Sequence, residues 1–384
     1  MPTSPACCMQ TSVTAPYYNP EAALFRNSAS SRFLSPGGGR VTLLECGQKS
    51  IVRWRTVGRT FHSVSATTAW PGPSAAMGTV GIIGAGSVGS SIASALVQSG
   101  IPQQVVLVDV RQERCRGEAL DLADGAFLSD TTVRQGSWSE VAQSNVIVIT
   151  AGVKQRPGES RDELVGRNCQ IFQEICTNLL PIAPDAIVMI VSNPVDVLAA
   201  VFQRISKLPA ERVIGSGTFL DSMRFREAIA KRLALAPSSI HAYILGEHGD
   251  QQIPVLSTVS VGGAPLSAFP NIDEDFLRET AIQTRDRAYE IIKLKGSTYH
   301  GIAACVRSLI ASILGDRCRV CAVSVYSPAF QTYVSLPAVL GRQGIVRIVP
   351  IADTLSPSES SALKTVACSI RDRVDSICKA CHCS

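Results

Sequence analysis

A histidine stands between two glycines in the run Gly-Glu-His-Gly-Asp at 246–250, directly after the strand-like segment 242–245. Histidine exchanges its proton in the physiological pH range, so it can pass a proton to or from an alcohol or carbonyl oxygen. The flanking glycines leave the backbone bare, which lets a substrate come close. His248 is therefore the first candidate for an acid–base residue.

Such a histidine needs a carboxylate to orient it. Asp221 and Arg224 lie three residues apart in a segment with helical periodicity, 221–234, so a carboxylate and a guanidinium share one helix face. The spacing alone favours an ordinary surface ion pair. A role beside His248 is the alternative.

A glycine-rich turn follows the apolar segment 79–83. Gly84 permits a tight turn, Gly86 lets the backbone approach a pyrophosphate, and Gly89 lets the following helix pack closely. Asp109 comes twenty residues after Gly89, at the end of the apolar run 105–108, where its carboxylate can bond an adenosine ribose. Strand, turn, helix and carboxylate together predict a dinucleotide site.

A charged segment with proline and glycine, 151–161, follows the apolar run 145–150. Loops at the carboxyl ends of parallel strands are where α/β sheets bind ligands, and a loop carrying Arg161 could close over a site. By itself the segment is equally compatible with a solvated loop.

The elements that must position these residues alternate between strands and helices. Strands are predicted at 79–83, 105–108, 145–150 and 186–191, with helices at 87–98 and 163–180. Because the strands are apolar at nearly every position, we expect a doubly wound parallel sheet of the Rossmann type, an α/β fold, over 78–219. Helices at 221–234, 273–294 and 357–379 and strands at 242–245 and 257–261 predict a second, mixed α+β domain over 220–384.

Charge argues against a nucleic-acid partner. The net charge of +5 comes from residues 1–77, which hold seven of the 36 basic and two of the 31 acidic residues and leave 29 of each sign in 78–384. With 46% hydrophobic residues the chain can bury a large core, and no apolar run is long enough for a membrane helix.

Cysteine usage predicts neither a disulfide scaffold nor a metal site. Thirteen cysteines is an odd number, spread over 384 residues, which favours a reducing compartment. Cys318 and Cys321 lead into an apolar run and are best explained by the start of a strand. The terminal group of Cys378, 381–383 lacks a second pair at zinc-finger spacing.

Residues 1–77 show no sustained periodicity, are poor in acidic residues and rich in arginine and serine. A mitochondrial or plastid transit peptide, an untranslated extension with a true start at Met77, and a disordered tail are all compatible with this composition. The first implies an organelle and the second the cytoplasm. We expect a chain beginning at Met77 to fold and be active.

Taken together and in this order, the motifs over 78–384 resemble the lactate/malate dehydrogenase family. The resemblance implies that NAD is the cofactor, that His248 exchanges the substrate proton, that Asp221 stabilises the imidazolium, and that Arg224 holds the substrate carboxylate. It further implies that Arg161 polarises the keto group and that Asn193 bonds near the reacting oxygen. By the same similarity, the NAD site is lined by Gly84, Gly86, Val88, Gly89, Asp109, Arg114, Gly152, Ser192 and Asn193.

The family divides at the position of Gln155, where malate-specific members carry arginine and lactate-specific members glutamine. The resemblance therefore implies reversible reduction of pyruvate to L-lactate, the reaction of glycolysis and fermentation. A malate dehydrogenase and a non-catalytic NAD-binding paralogue are the alternatives. Thr298 matches the threonine on the substrate side, whereas Ser297 departs from the aromatic residue common there.

The resemblance also concerns assembly and regulation. A homotetramer is implied by the family. Arg226 and His241 match positions where bacterial members bind fructose 1,6-bisphosphate across a subunit interface, although non-allosteric members carry the same pair.

Overall fold

The computed structural model describes residues 78–153, 161–270 and 272–380, apart from the side chains at 161, 162 and 267. Four of the features predicted above lie outside this description. They are the segment 1–77, Gln155, the side chain of Arg161 and the terminal group 381–383.

The first half of the described chain alternates strands and helices, as expected. Its elements are β1 (Thr79–Ile83), α1 (Ser87–Ser99), β2 (Gln104–Val108), α2 (Gln112–Asp124), β3 (Thr132–Gln135), α3 (Trp138–Ala142), β4 (Val146–Ile149), α4 (Arg161–Leu179), β5 (Ile187–Ile190), α5 (Val195–Ser206) and β6 (Val213–Gly215). The six strands are parallel in the order 3-2-1-4-5-6. In this order the topological switch point, where the direction in which successive strands are added to the sheet reverses, lies between β1 and β4. Sheets of this kind bind ligands at that point.

The second half mixes helices with antiparallel strands. Its elements are α6 (Phe219–Leu233), β7 (Ile240–Gly246), β8 (Gln252–Val261), β9 (Ala264–Pro265), α7 (Glu274–Lys295), α8 (His300–Leu314), β10 (Arg319–Ser327), β11 (Thr332–Gly341), β12 (Gly344–Ile348) and α9 (Pro357–Ala380). β10 joins β6 antiparallel through the pair Ser324 and Gly215, and β11 joins β7 through Ser335 and Gly246. The loop that leaves β7 is thereby brought to the parallel sheet.

The central strands β4 and β5 are apolar throughout and lie in the core of the protein. Every residue of β4 and β5 is buried, as expected for strands covered by helices on both faces. A core of aliphatic side chains continues from these strands into β10, β11 and α8. The ends of these strands are thus anchored in the core.

The predicted α/β architecture is confirmed, and the predicted helices and strands agree with the structure to within two residues at each end, except that β8 begins five residues before the strand predicted at 257–261. α2, α5, α8 and β11 are among the elements not predicted from the periodicity; α5 and α8 are largely apolar, and most of their residues are buried. β10 begins one residue after Cys318, in agreement with the strand start predicted there.

In the described part of the chain, no helix combines the length and apolarity that crossing a membrane requires. Among the same residues, no cluster of three or more His, Cys, Asp or Glu side chains is placed to hold a metal ion.

Candidate active site

The glycine turn joins β1 to α1 and has the geometry of a phosphate cradle. Gly84 has φ +102, in the left-handed region that favours glycine. A Cβ at Gly89 would collide with the carbonyl oxygen of Gly84, whereas a Cβ at Gly86 meets no atom within 4 Å. A glycine is therefore required at position 89 for α1 to pack against the turn. The space beside Gly86 is open, so a ligand can approach the backbone there.

The start of α1 faces that open space. Gly86 is its N-cap, with no side chain accepting from the first-turn N–H groups. These unpaired donors and the helix dipole favour an anion at this end of the helix. Val88 is half-buried in the same turn. The residues present thus fit a dinucleotide pyrophosphate.

Asp109 directly follows β2, and its carboxylate contacts the glycine turn between β1 and α1. Its Oδ2 accepts the N–H of Ala85 at 2.7 Å and its Oδ1 accepts the N–H of Arg111 at 2.8 Å. Each oxygen keeps a second lone pair with which to accept a ribose hydroxyl. Arg114 lies in the first turn of α2, where it pairs with Glu118 at 3.5 Å.

The carboxyl ends of β4 and β5 carry a second polar group. Ser192 Oγ donates to the carbonyl of Ala151 at 2.6 Å. Asn168 of α4 accepts the N–H of Val153 at 2.9 Å and donates to the carbonyl of Asn193 at 3.1 Å. The structure thus brings Ser192 and Asn193 next to the strand that ends before Gly152, as the predicted cofactor site requires.

His248 and Asp221 are in contact. Nδ1 of His248 lies 2.7 Å from Oδ2 of Asp221, and Nη1 of Arg224 lies 3.6 Å from the other oxygen, Oδ1. The side chain of Asp221 is 3% exposed, that of Arg224 11% and that of His248 28%. Asp221 and Arg224 are therefore not a surface ion pair.

Charge dominates the protonation of this group. Burial by itself lowers the pKa of His248, but the Asp221 carboxylate more than offsets it, and the net effect raises the pKa to about 9. Burial raises the pKa of Asp221, yet the imidazolium and Arg224 outweigh it, so the net pKa is lowered. An ionised Asp221 beside a protonated His248 is the favoured state at neutral pH.

A cavity of about 240 Å³ opens beside the imidazole. Its walls include Asn193, Asp221 and His248, together with residues of α4, α7 and α9. In the wall, Arg373 of α9 pairs with Glu247 at 2.5 Å, and Tyr289 of α7 donates to Asp250 at 2.5 Å. The cavity size suits a small organic acid.

Four of the predicted substrate and effector residues are not among the described residues that line this cavity: Arg224, Thr298, Arg226 and His241. Thr298 is half-buried in the loop between α7 and α8 and is not among the described residues that line the cavity. Arg226 Nε donates to the carbonyl of Ala242 at 2.8 Å, with its guanidinium 4.8 Å from the Tyr243 ring. His241, next to Ala242 on β7, is exposed.

Several polar residues of the site are not found by sequence reasoning. Asn168, Asp196 and the pair Glu247 and Arg373 all contact predicted site residues or line the cavity. Glu247 stands inside the motif 246–250 and Asp196 lies three residues after Asn193, so proximity to predicted site residues is the one available signal. Nothing local distinguishes Asn168 or Arg373 from ordinary helix residues.

Comparison with known proteins agrees with this geometry. A family model described as the lactate/malate dehydrogenase NAD binding domain matches residues 79–215, and the model for the corresponding alpha/beta C-terminal domain matches 218–380. The chain is 42% identical over 294 residues to L-lactate dehydrogenase A of Rhizopus oryzae, covering 75% of this chain and 91% of that protein. It is also 42% identical over 311 residues to L-lactate dehydrogenase of Kosmotoga olearia, covering 78% and 96%.

A solved structure is similar as well. The minor L-lactate dehydrogenase of Enterococcus mundtii, in its ligand-bound form, superposes with a TM-score of 0.75 at 34% identity, covering 78% of this chain and 98% of that one.

Proposed function

Since the chain belongs to the lactate/malate dehydrogenase family, we propose that it is an NAD-dependent L-lactate dehydrogenase, interconverting pyruvate and (S)-lactate. The observation that carries the proposal is the contact between His248 and Asp221 at the wall of a cavity fit for a small acid. A protein that retained the fold without catalysis has no physical need for a buried, charge-paired imidazole there.

We expect the cofactor to bind at the glycine turn and at the carboxyl ends of the neighbouring strands. Gly84, Gly86, Val88 and Gly89 would hold the pyrophosphate at the start of α1, Asp109 the adenosine ribose, and Gly152, Ser192 and Asn193 the part of NAD nearer the cavity. Arg114 would lie on the adenosine side. When bound, NADH supplies the hydride that reduces C2 of pyruvate.

His248 supplies the proton. Because Asp221 occupies Nδ1, Nε2 is the ring nitrogen free to donate to the carbonyl oxygen of pyruvate, leaving neutral imidazole. In lactate oxidation the same nitrogen accepts the hydroxyl proton. Asp221 keeps the ring oriented and stabilises its protonated form.

The remaining site residues bind and polarise the substrate. Arg224 would hold the pyruvate carboxylate bidentately, and Asn193 would donate a hydrogen bond near the reacting oxygen. Arg161 would polarise the keto group from the loop before α4, and Thr298 would close the far wall. Gln155 would face the methyl group and disfavour a second carboxylate, since a buried, unpaired carboxylate is costly.

We further propose a two-domain division near residues 215–220, a homotetramer, and activation by fructose 1,6-bisphosphate at Arg226 and His241. The spans of the two family models support the division. Phe127 and Leu128, whose side chains are 84% and 65% exposed, offer apolar surface that a subunit interface would cover. Light scattering tests the assembly, and adding the bisphosphate at low pyruvate tests the activation.

One assay separates the main proposal from its rivals. The loss of NADH absorbance is followed with pyruvate and, in parallel, with oxaloacetate, for the protein and for a His248→Gln variant. We expect turnover of pyruvate that the variant loses. A preference for oxaloacetate would indicate a malate dehydrogenase, and binding of NADH without turnover of either acid would indicate a non-catalytic paralogue.

A further inference from the structure

Asp196 is a buried carboxyl group to which the mechanism above assigns no role. It is the second residue of α5, follows the cis peptide between Asn193 and Pro194 by two residues, and is 1% exposed. Burying a carboxyl group is unfavourable unless its oxygens are hydrogen-bonded. Its contacts therefore show what the group is there to hold.

Each carboxyl oxygen of Asp196 reaches a different element. Oδ2 accepts the backbone N–H of His248 at 2.9 Å, and Oδ1 lies 2.9 Å from the hydroxyl of Ser335 on β11. Ser335 is itself the strand partner of Gly246, the last residue of β7. Gly246 and His248 are thus both connected to Asp196, His248 directly and Gly246 through its strand partner Ser335.

The backbone around His248 needs such a tie. Gly246 and Gly249 have φ of +88 and +117, and glycine adopts many other conformations at little cost. The bond from Nδ1 to Asp221 orients the ring but leaves the position of the main chain open. A bond to the main-chain N–H removes that freedom.

We propose that Asp196 is a positioning residue that sets the main chain of His248 against Asn193. Asn193 lies three residues before Asp196 at the same strand end, and both Asn193 and His248 line the cavity. His248 is therefore hydrogen-bonded by two carboxyl groups: Asp221 bonds the imidazole ring and Asp196 bonds the backbone N–H. Reaction rates fall by about 10²-fold when a reacting group is displaced by about 1 Å, so this tie controls catalysis without touching substrate.

The tie does not require a charge on Asp196. Burial raises the pKa of this carboxyl group. In either protonation state Oδ2 can accept from His248, while Oδ1 and the Ser335 hydroxyl exchange roles as donor and acceptor. Asparagine can make the same two contacts, whereas leucine has nearly the same shape and can make neither.

The inference rests on the proposed lactate dehydrogenase activity and is tested on the full chain with two substitutions at this position. Asp196→Leu is expected to lower kcat for pyruvate reduction about 10²-fold while NADH binding, followed by fluorescence, changes by less than about twofold. Asp196→Asn is expected to retain kcat within about fivefold. With deuterated NADH, the isotope effect on kcat should be larger in the leucine variant, since misplacement slows the chemical step.

Glu359→Leu is the matched control. Glu359 also accepts backbone N–H groups between elements, those of Leu256 and Ser257 at 2.7 and 3.1 Å, but it is not among the described residues lining the cavity. The Glu359→Leu substitution should lower the melting temperature and leave kcat unchanged. Equal kcat in Asp196→Leu and Glu359→Leu, or equal losses in Asp196→Leu and Asp196→Asn, would overturn the inference.

Two further results keep the test decisive. If Asp196→Leu does not fold, Ser335→Ala takes its place, because it removes the hydroxyl that bonds Oδ1 of Asp196. It should lower kcat several-fold with NADH binding unchanged, and parental kcat would contradict the inference. A parent protein that fails to turn over pyruvate would instead contradict the proposed function.

Discussion

Nδ1 of His248 lies 2.7 Å from Oδ2 of Asp221, between residues that are 27 positions apart in the chain. The carboxylate comes from the first turn of α6 and the imidazole from the loop that leaves β7. Because Asp221 is 3% exposed, water cannot replace this bond easily, and the pair behaves as one acid–base unit.

Replacing Asp221 by asparagine should damage catalysis far more than folding. The amide keeps the shape but removes the charge that favours the imidazolium, so we expect kcat for pyruvate reduction to fall about 10²-fold or more. Steady-state assays together with a melting curve check this. A variant that keeps parental kcat would show that Asp221 does not act through His248.

The pH dependence should differ in sign between the two directions. The pKa of His248 is raised to about 9, so the protonated form needed for pyruvate reduction persists through neutral pH and is lost as the pH rises through that value. We expect kcat/KM for pyruvate to fall above the pKa and kcat/KM for lactate to rise up to it. In Asp221→Asn both profiles should move to lower pH. Profiles of the same sign in both directions would contradict this assignment.

Gly86→Ala and Gly89→Ala should fail in different ways. A methyl group at Gly86 meets no protein atom within 4 Å, so this variant should fold with the parental melting temperature but bind NADH at least about tenfold more weakly. A methyl group at Gly89 collides with the carbonyl of Gly84, so that variant should be destabilised. Fluorescence titration and thermal melts distinguish the outcomes, and parental NADH affinity in Gly86→Ala would exclude the turn as the phosphate site.

The carboxylate of Asp109 should make the enzyme prefer NADH to NADPH, because it would repel a 2′-phosphate. Asp109→Asn keeps an acceptor for one of the N–H groups of Ala85 and Arg111 while removing the charge. We expect the ratio of kcat/KM for NADH over NADPH to fall about tenfold or more in the variant. Equal efficiency with both cofactors in the parent would contradict the assignment.

Gln155→Arg should change the preferred acid. Gln155 lies outside the described residues, so this expectation comes from the sequence resemblance alone. Arginine would pair with the second carboxylate of oxaloacetate and leave an unpaired charge against the methyl group of pyruvate. If each effect reaches about 3 kcal/mol, the preference ratio moves by several powers of ten. A ratio that stays within about tenfold would show that Gln155 is not the residue that discriminates between the two acids.

Local sequence patterns determined the parts of this protein that are built from neighbouring residues. The nucleotide turn is one strand, three glycines and one helix within the segment 79–99, and the structure places each where the spacing predicts. The buried strands β4 and β5 are continuous apolar runs for the same reason. Asp221 and Arg224 share a helix face because residues three apart must.

Tertiary structure alone decided what those residues meet. Spacing favoured a surface ion pair for Asp221 and Arg224, and only the packing of α6 against β7 buries both and brings His248 to them. Asp196 meets the backbone of His248 across 52 positions, and Glu247 meets Arg373 across 126. Contacts of this kind depend on how strands pair and helices pack over the whole sheet, and a local periodicity carries no information about them.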